Sequence, residues 1–142
     1  KPRVENKLAL NIDLTSMFYH LAGLTPPAHL QGKNLHPLIT DSKTPWRSDF
    51  YYEAVTPERG LGAMPHDAIR TDQYKLIRTY DWKQSKLIYE ELYDLQADPA
   101  EMTNLANSPT HKKTKSKLTF LLLARKKSIA VTDDPETHKL SK

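Results

Sequence analysis

Apolar residues recur along this chain at two different intervals. Leu14, Met17, Phe18 and Leu21 stand three and four apart, the spacing of one helical face, and residues 8–12 before them form a short apolar-rich run. The pattern predicts the end of a strand feeding a helix of about ten residues. Asp13 or Thr15 is placed to cap that helix, because either side-chain oxygen can accept an orphan amide hydrogen. Gly23 is placed to close it in the left-handed conformation, and Pro26 and Pro27 stop any continuation. Leu35, Leu38 and Ile39, gathered around Pro37, predict a short helical turn.

Beyond a polar, turn-rich stretch at 41–47 the interval changes. Residues 49–55 are aromatic-rich and read as a strand, followed by a loop carrying Pro57, Gly60, Gly62 and Pro65. Residues 66–71 and 74–80 are separated only by Asp72 and Gln73, the length of a tight hairpin connection. Residues 87–95 supply a further strand, with Tyr89, Glu91 and Tyr93 on one face and Ile88, Glu90, Leu92 and Asp94 on the other. Ser108 and Pro109 then open a helix, on which Leu118, Leu121, Leu122 and Arg125 share a face. Past Lys126 the apolar anchors run out and a tail is expected. The fold class is α+β: a four-stranded antiparallel sheet packed by a C-terminal helix, preceded by a strand and helix too small to bury their own faces.

Size and charge narrow the function. The 142 residues fit one domain, and the longest apolar run, residues 120–124, is far short of the ~20 residues a membrane span needs. With no cysteine, disulfides, thiolate metal sites and a cysteine nucleophile are excluded. The net charge of +4 is unevenly placed: residues 1–110 carry 12 Lys or Arg against 14 Asp or Glu, and residues 111–142 carry 9 against 3. The basicity therefore belongs to the C-terminal segment. Its one aromatic residue, Phe120, gives bases almost nothing to stack on, so nucleic acid is not expected as a partner.

Candidate chemistry is sparse. The aspartates fall mainly at the ends of expected elements, where carboxylates cap and turn the chain. The six histidines show no close pairing on one face, and the serines lack a glycine-flanked nucleophile turn. His66 and Arg70 are the polar pair of most interest. Four apart on a strand they point to the same side, where an imidazole and a guanidinium flank an anion such as phosphate or sulfate. The plainer alternative pairs Arg70 with Glu53 or another acid across the sheet.

A specific resemblance rests on three ordered blocks. Glu91-Leu92-Tyr93-Asp94-Leu95 followed by Asp98-Pro99, Glu101 and Asn104-Leu105 resembles the C-terminal signature of the sulfatase family. Ala68-Ile69-Arg70-Thr71-Asp72-Gln73-Tyr74-Lys75-Leu76-Ile77 is similar to its arginine-threonine-aspartate, tyrosine-lysine-leucine hairpin. Upstream, Ile12-Asp13-Leu14-Thr15 with Leu21-Ala22-Gly23-Leu24, Pro27, Gln31-Gly32, Leu35 and Pro37-Leu38 resembles the helix and loop joining the large catalytic domain to the small one.

The resemblance implies the C-terminal portion of an alkaline-phosphatase-like enzyme that hydrolyses sulfate esters or sulfamates with a formylglycine and a calcium ion. Neither group has its residues here: the cysteine or serine, any residue, proline, any residue, arginine motif is absent, so no catalytic residue is assigned. Residues 1–45 would be the end of the large α/β catalytic domain and the connection, 46–125 the small domain, and 126–142 a flexible basic tail. The missing N-terminal catalytic domain is the implied partner, sulfated carbohydrate the implied substrate, and a periplasmic or secreted location is implied for the parent. His66, Arg70 and Glu53 are the substrate-proximal candidates. Two other readings remain: an interaction domain that binds polyanions through the C-terminal lysines, and the corresponding part of a phosphoester or phosphonate hydrolase.

Overall fold

The computed structural model describes residues 3–54, 64–81 and 83–129. Two compact units emerge, one built from the chain up to Arg47 and one from Ser48–Ile129.

The first unit holds α1 (Asn11–Leu21) and α2 (His36–Thr40). Leu10 has the extended backbone expected ahead of the helix, but the helix starts at Asn11, so neither Asp13 nor Thr15 sits at its cap. Asp13 works from inside the first turn. Its carboxylate reaches back to the Leu10 amide at 2.7 Å and accepts the Lys33 amide at 2.7 Å. The Arg47 guanidinium forks onto both oxygens, with Nη2 at 2.7 Å. A fully buried carboxylate is tolerable only with this many donors. Arg47 also donates to the Leu8 carbonyl at 3.2 Å, which accepts the Trp46 indole hydrogen at 2.7 Å as well. One step along, the Ser16 hydroxyl donates to the Gly32 carbonyl at 2.7 Å. Backbone meets backbone there: a side chain at Gly32 would stand 2.1 Å from the Ile12 carbonyl oxygen.

These contacts turn α1 inside out. Its buried positions are Asp13 and Ser16, whereas Leu14, Phe18 and Leu21 are 43%, 60% and 60% exposed, as expected of a helix too small a piece to bury its own apolar face. Gly23, at φ +68°, ends the helix as expected: its amide returns to the His20 carbonyl and the Leu24 amide to the Tyr19 carbonyl, the paired bonds of a left-handed C-terminal closure.

The second unit is a meander of β1 (Asp49–Ala54), β2 (His66–Thr71), β3 (Tyr74–Tyr80) and β4 (Leu87–Asp94), antiparallel in that order. The two-residue hairpin is present, with the Thr71 hydroxyl accepting the Tyr74 amide hydrogen at 2.8 Å. Val55 and most of the expected β1–β2 loop lie outside the described residues, as does the tail beyond Ile129. Tyr51, Ile69, Leu76 and Leu92 line up across all four strands. Over that row lies α3 (Lys112–Ser128), entered through a short 3-10 turn at Pro109–His111. Leu118 and Leu122 complete the core with Ala106.

Ion pairs pin α3 from end to end. Lys115 meets Glu90 at 3.1 Å, Arg125 forks onto Asp49 at 2.6 and 2.9 Å, and Lys126 reaches the buried Asp67 at 3.1 Å. The acid-rich run after β4 is equally committed. The Asn104 side chain accepts the Leu92 and Ala106 amide hydrogens at 3.1 and 2.9 Å and donates to the Glu90 carbonyl. Asp98 accepts the Thr103 amide hydrogen at 2.8 Å.

Leu122→Ala is expected to cost the second unit about 2–5 kcal/mol, the usual loss for truncating a buried leucine, read by urea unfolding. Asp13 gives a pH-dependent counterpart in the first unit. Burial alone raises its pKa, but hydrogen bonds from Arg47, Leu10 and Lys33 outweigh it and hold the carboxyl below its ordinary 3.8. A pKa lower in the folded state stabilises above the unfolded value and ceases to do so as pH falls through the folded one. Trp46 fluorescence in a Trp82→Phe background should report opening of this unit in acid below pH 3.8. Asp13→Asn should weaken it by about 3 kcal/mol already at neutral pH.

Candidate functional site

Side chains alternate across a strand, so the row under α3 determines what faces the other way. Register places Phe50, Tyr52, His66, Ala68, Arg70, Lys75, Ile77, Glu91 and Tyr93 together on the face opposite α3. His66 and Arg70 therefore share a face, with the fully buried Ala68 between them. Glu53 does not join them. It lies opposite Asp67 on the α3 side, hydrogen-bonded by the Tyr51 hydroxyl and 3.6 Å from Lys126.

Each member of the open face has a defined setting. His66 Nδ1 is 2.9 Å from the Met64 carbonyl. A carbonyl only accepts, so Nδ1 carries the hydrogen, and in the neutral ring Nε2 is left as an acceptor. The Tyr52 ring meets His66 edge-on at 6.1 Å. Arg70 donates Nε–H to the Thr71 carbonyl at 3.1 Å, and its cross-strand neighbours are Phe50 and Lys75. Neither of these described neighbours is the acid of the plainer alternative, and one of them is a second cation. Lys75 is neutralised by an ion pair with Glu101, which adopts φ +57° in the loop after β4. Lys75 also lies 5.9 Å from the centre of the Tyr93 ring.

The phenols register this environment. Tyr52 is raised by burial and by the charges of Glu101 and Glu91, with Arg70 opposing. Tyr93 donates to Glu91 at 2.7 Å, and that bond, followed by burial, pushes its pKa up to about 12. On the α3 side, burial and the Asp67 carboxylate push Tyr80 up to about 12. The sequence missed Tyr52 near Arg70 and Glu101 as the partner of Lys75. The hairpin length already implied Lys75 opposite Arg70, but nothing local announced the fold-back of Glu101.

Metal chemistry finds no holder. Among the described residues no three His, Asp or Glu side chains converge. The histidines are closer than the sequence suggested: His20 and His36, sixteen positions apart, have ring centres 4.9 Å apart. With neither a carboxylate cluster nor a Cys or Ser in the formylglycine motif, these residues fit neither calcium nor formylglycine.

The model of the N-sulphoglucosamine sulphohydrolase C-terminal region matches residues 1–128. This chain belongs to the sulfatase family. The part it matches is the C-terminal portion of these alkaline-phosphatase-like enzymes. It is 31% identical over 136 residues to the N-acetylglucosamine-6-O-sulfatase of Bacteroides thetaiotaomicron, covering 91% of this chain and 23% of that protein. A structure solved in complex with its substrate, D-glucosamine-2-N,6-O-disulfate, superposes with a TM-score of 0.71 at 32% identity, over 85% of this chain and 24% of the other. The sulfatase-family chain thus spans about a quarter of the length of such relatives. The phosphonate monoester hydrolase of Agrobacterium radiobacter shares the fold, with a TM-score of 0.63 at 24% identity over 80% of this chain and 24% of that one. Among the described residues of this sulfatase-family chain, no helix is long and apolar enough to cross a membrane.

Glu91→Gln is expected to bring the Tyr93 phenol down from about 12 toward 10. Spectrophotometric titration compared with Tyr93→Phe checks it, and an unmoved phenol would break the assignment.

Proposed function

We propose that this chain is the C-terminal part of a sulfuric ester hydrolase acting on sulfated carbohydrate, and that its sheet face bearing His66 and Arg70 lines the substrate cleft. The observation that carries this is the position of Arg70. It sits on the open face beside a lysine, without a carboxylate across the sheet. With Lys75 already paired to Glu101, an anionic group of the substrate would serve as the partner of Arg70. Arg70 would offer a fork to a sulfate or carboxylate, and His66 Nε2 would accept from a sugar hydroxyl or, when protonated, donate to an anion. Glu53, turned to the α3 side, has no part in this arrangement.

The reactive groups, formylglycine and calcium, would come from the N-terminal part that relatives possess, and the exposed leucines and Phe18 of α1 would pack against it. A periplasmic or secreted parent fits a substrate that is a sulfated polysaccharide. Phosphonate or phosphoester chemistry stays open on this reading, because the residues that select sulfur or phosphorus are not among those matched.

The test is a chimera in which this chain replaces the homologous last quarter of the Bacteroides N-acetylglucosamine-6-O-sulfatase. The chain alone, supplied with calcium, should show no turnover. The chimera should hydrolyse sulfated glucosamine, and Arg70→Ala should lower its kcat/KM by about 10–100-fold, mainly through KM, the range of one lost charge-assisted contact. A folded Arg70→Ala chimera with unchanged kinetics would remove Arg70 from the cleft. Preferential turnover of a phosphonate monoester over the sulfate ester would reassign the chemistry.

A further inference from the structure

Helix α3 sorts its cations into two sets. At 100° per residue, Lys115, Arg125 and Lys126 fall with Leu118 and Leu122 on the side toward the sheet, where each meets an acid. The opposite side carries Lys112, Lys113, Lys117 and Lys127, all exposed. Between them stand Phe120, 77% exposed, and Leu123, 50% exposed. None of the 17 residues from Lys112 to Ser128 is acidic. A solvated helix ordinarily mixes signs along its outer face, which brings i, i+4 pairing. Here the outer face is uniformly cationic, and it opens with lysines in the first turn, where the helix dipole disfavours them.

We propose that this outer stripe, Lys113, Lys117, Phe120, Leu123 and Lys127, is a docking surface for a sulfated polysaccharide chain. Charge complementarity selects the partner. Lysines bind sulfate as point charges without demanding one geometry, and from Lys113 to Lys127 the stripe runs about 21 Å at 1.5 Å per residue, long enough to follow several sugars. Phe120 offers an apolar face to a pyranose ring in the middle of that run. Two exposed apolar residues are too narrow a face for burial in a lipid surface, and one aromatic ring is no stacking platform for successive bases. The choice of a sulfated sugar polymer rests on the sulfatase reading above. The stripe lies on the side of the sheet away from His66 and Arg70.

The test uses the 142-residue chain with heparin as the probe. Wild-type protein should be retained at low salt and released as salt rises. Lys113→Gln, Lys117→Gln and Lys127→Gln together should weaken binding at least about tenfold and reduce the slope of log Kd against log salt by about one per lysine. Phe120→Ala should weaken binding while leaving that slope unchanged. Lys43→Gln with Lys86→Gln, two exposed lysines off the helix, should behave as wild type. Circular dichroism confirms that each variant keeps its helix. The proposal is overturned if heparin is not retained at low salt or if the triple variant binds as wild type. Equal competition by desulfated heparin or duplex DNA also overturns it. None of these outcomes bears on the sulfatase reading, which is decided by turnover of the chimera.

Discussion

The closure of Leu118 and Leu122 over Ile69, Leu76 and Leu92 is the contact on which the second unit depends. A strand can hide only alternate residues. Once this row faces α3, every other position in the sheet is assigned. Glu53, Asp67 and Glu90 must lie under the helix, and they are met by its lysines. His66, Arg70, Tyr52 and Glu91 must lie on the other face. The chemistry left available to the sheet is thus a consequence of where its core is. The same constraint divides α3, because the cations required beneath it account for only part of its basic content.

Elements that depend on neighbours in sequence were legible; side-chain partners drawn from far along the chain were not. The Asp72-Gln73 connection, the four strands and the leucine face of α3 follow from spacing and turn length, and the structure has them. Glu53 was grouped with His66 and Arg70, yet its face is set by the register of β1 against β2, across a connection that carries no hairpin signal. His20 and His36 meet only because the chain turns back between α1 and α2. Asp13 read as a helix cap, and its burial followed from Arg47, 34 positions later.

Helix α1 carries the exposed apolar stripe that its spacing and its small unit lead one to expect, and the side it buries is polar. Its apolar stripe exists, but within its unit the buried side belongs to Asp13 and Ser16, since they satisfy the backbone of residues 32 and 33 and the Arg47 guanidinium. Gly32 makes this arrangement possible, because only a residue without a side chain lets its backbone come so near the Ile12 carbonyl. The exposed leucines are then left over from the unit's own packing. This is the physical ground for proposing a larger apolar surface against α1.

The acids after β4 show why abundance of carboxylate does not make a catalytic site. Asp94 accepts the Gln96 and Ala97 amide hydrogens, and Asp98 that of Thr103. Glu101, in the same run, neutralises Lys75. Asn104 continues hydrogen bonding along the edge of β4 where another strand would otherwise lie, and so protects that edge. Each carboxylate named here already has a donor within the fold, and among the described residues no three His, Asp or Glu side chains converge. What the run contributes to the proposed cleft is indirect: by taking Lys75 it leaves Arg70 as the cation of the open face still without a carboxylate across from it.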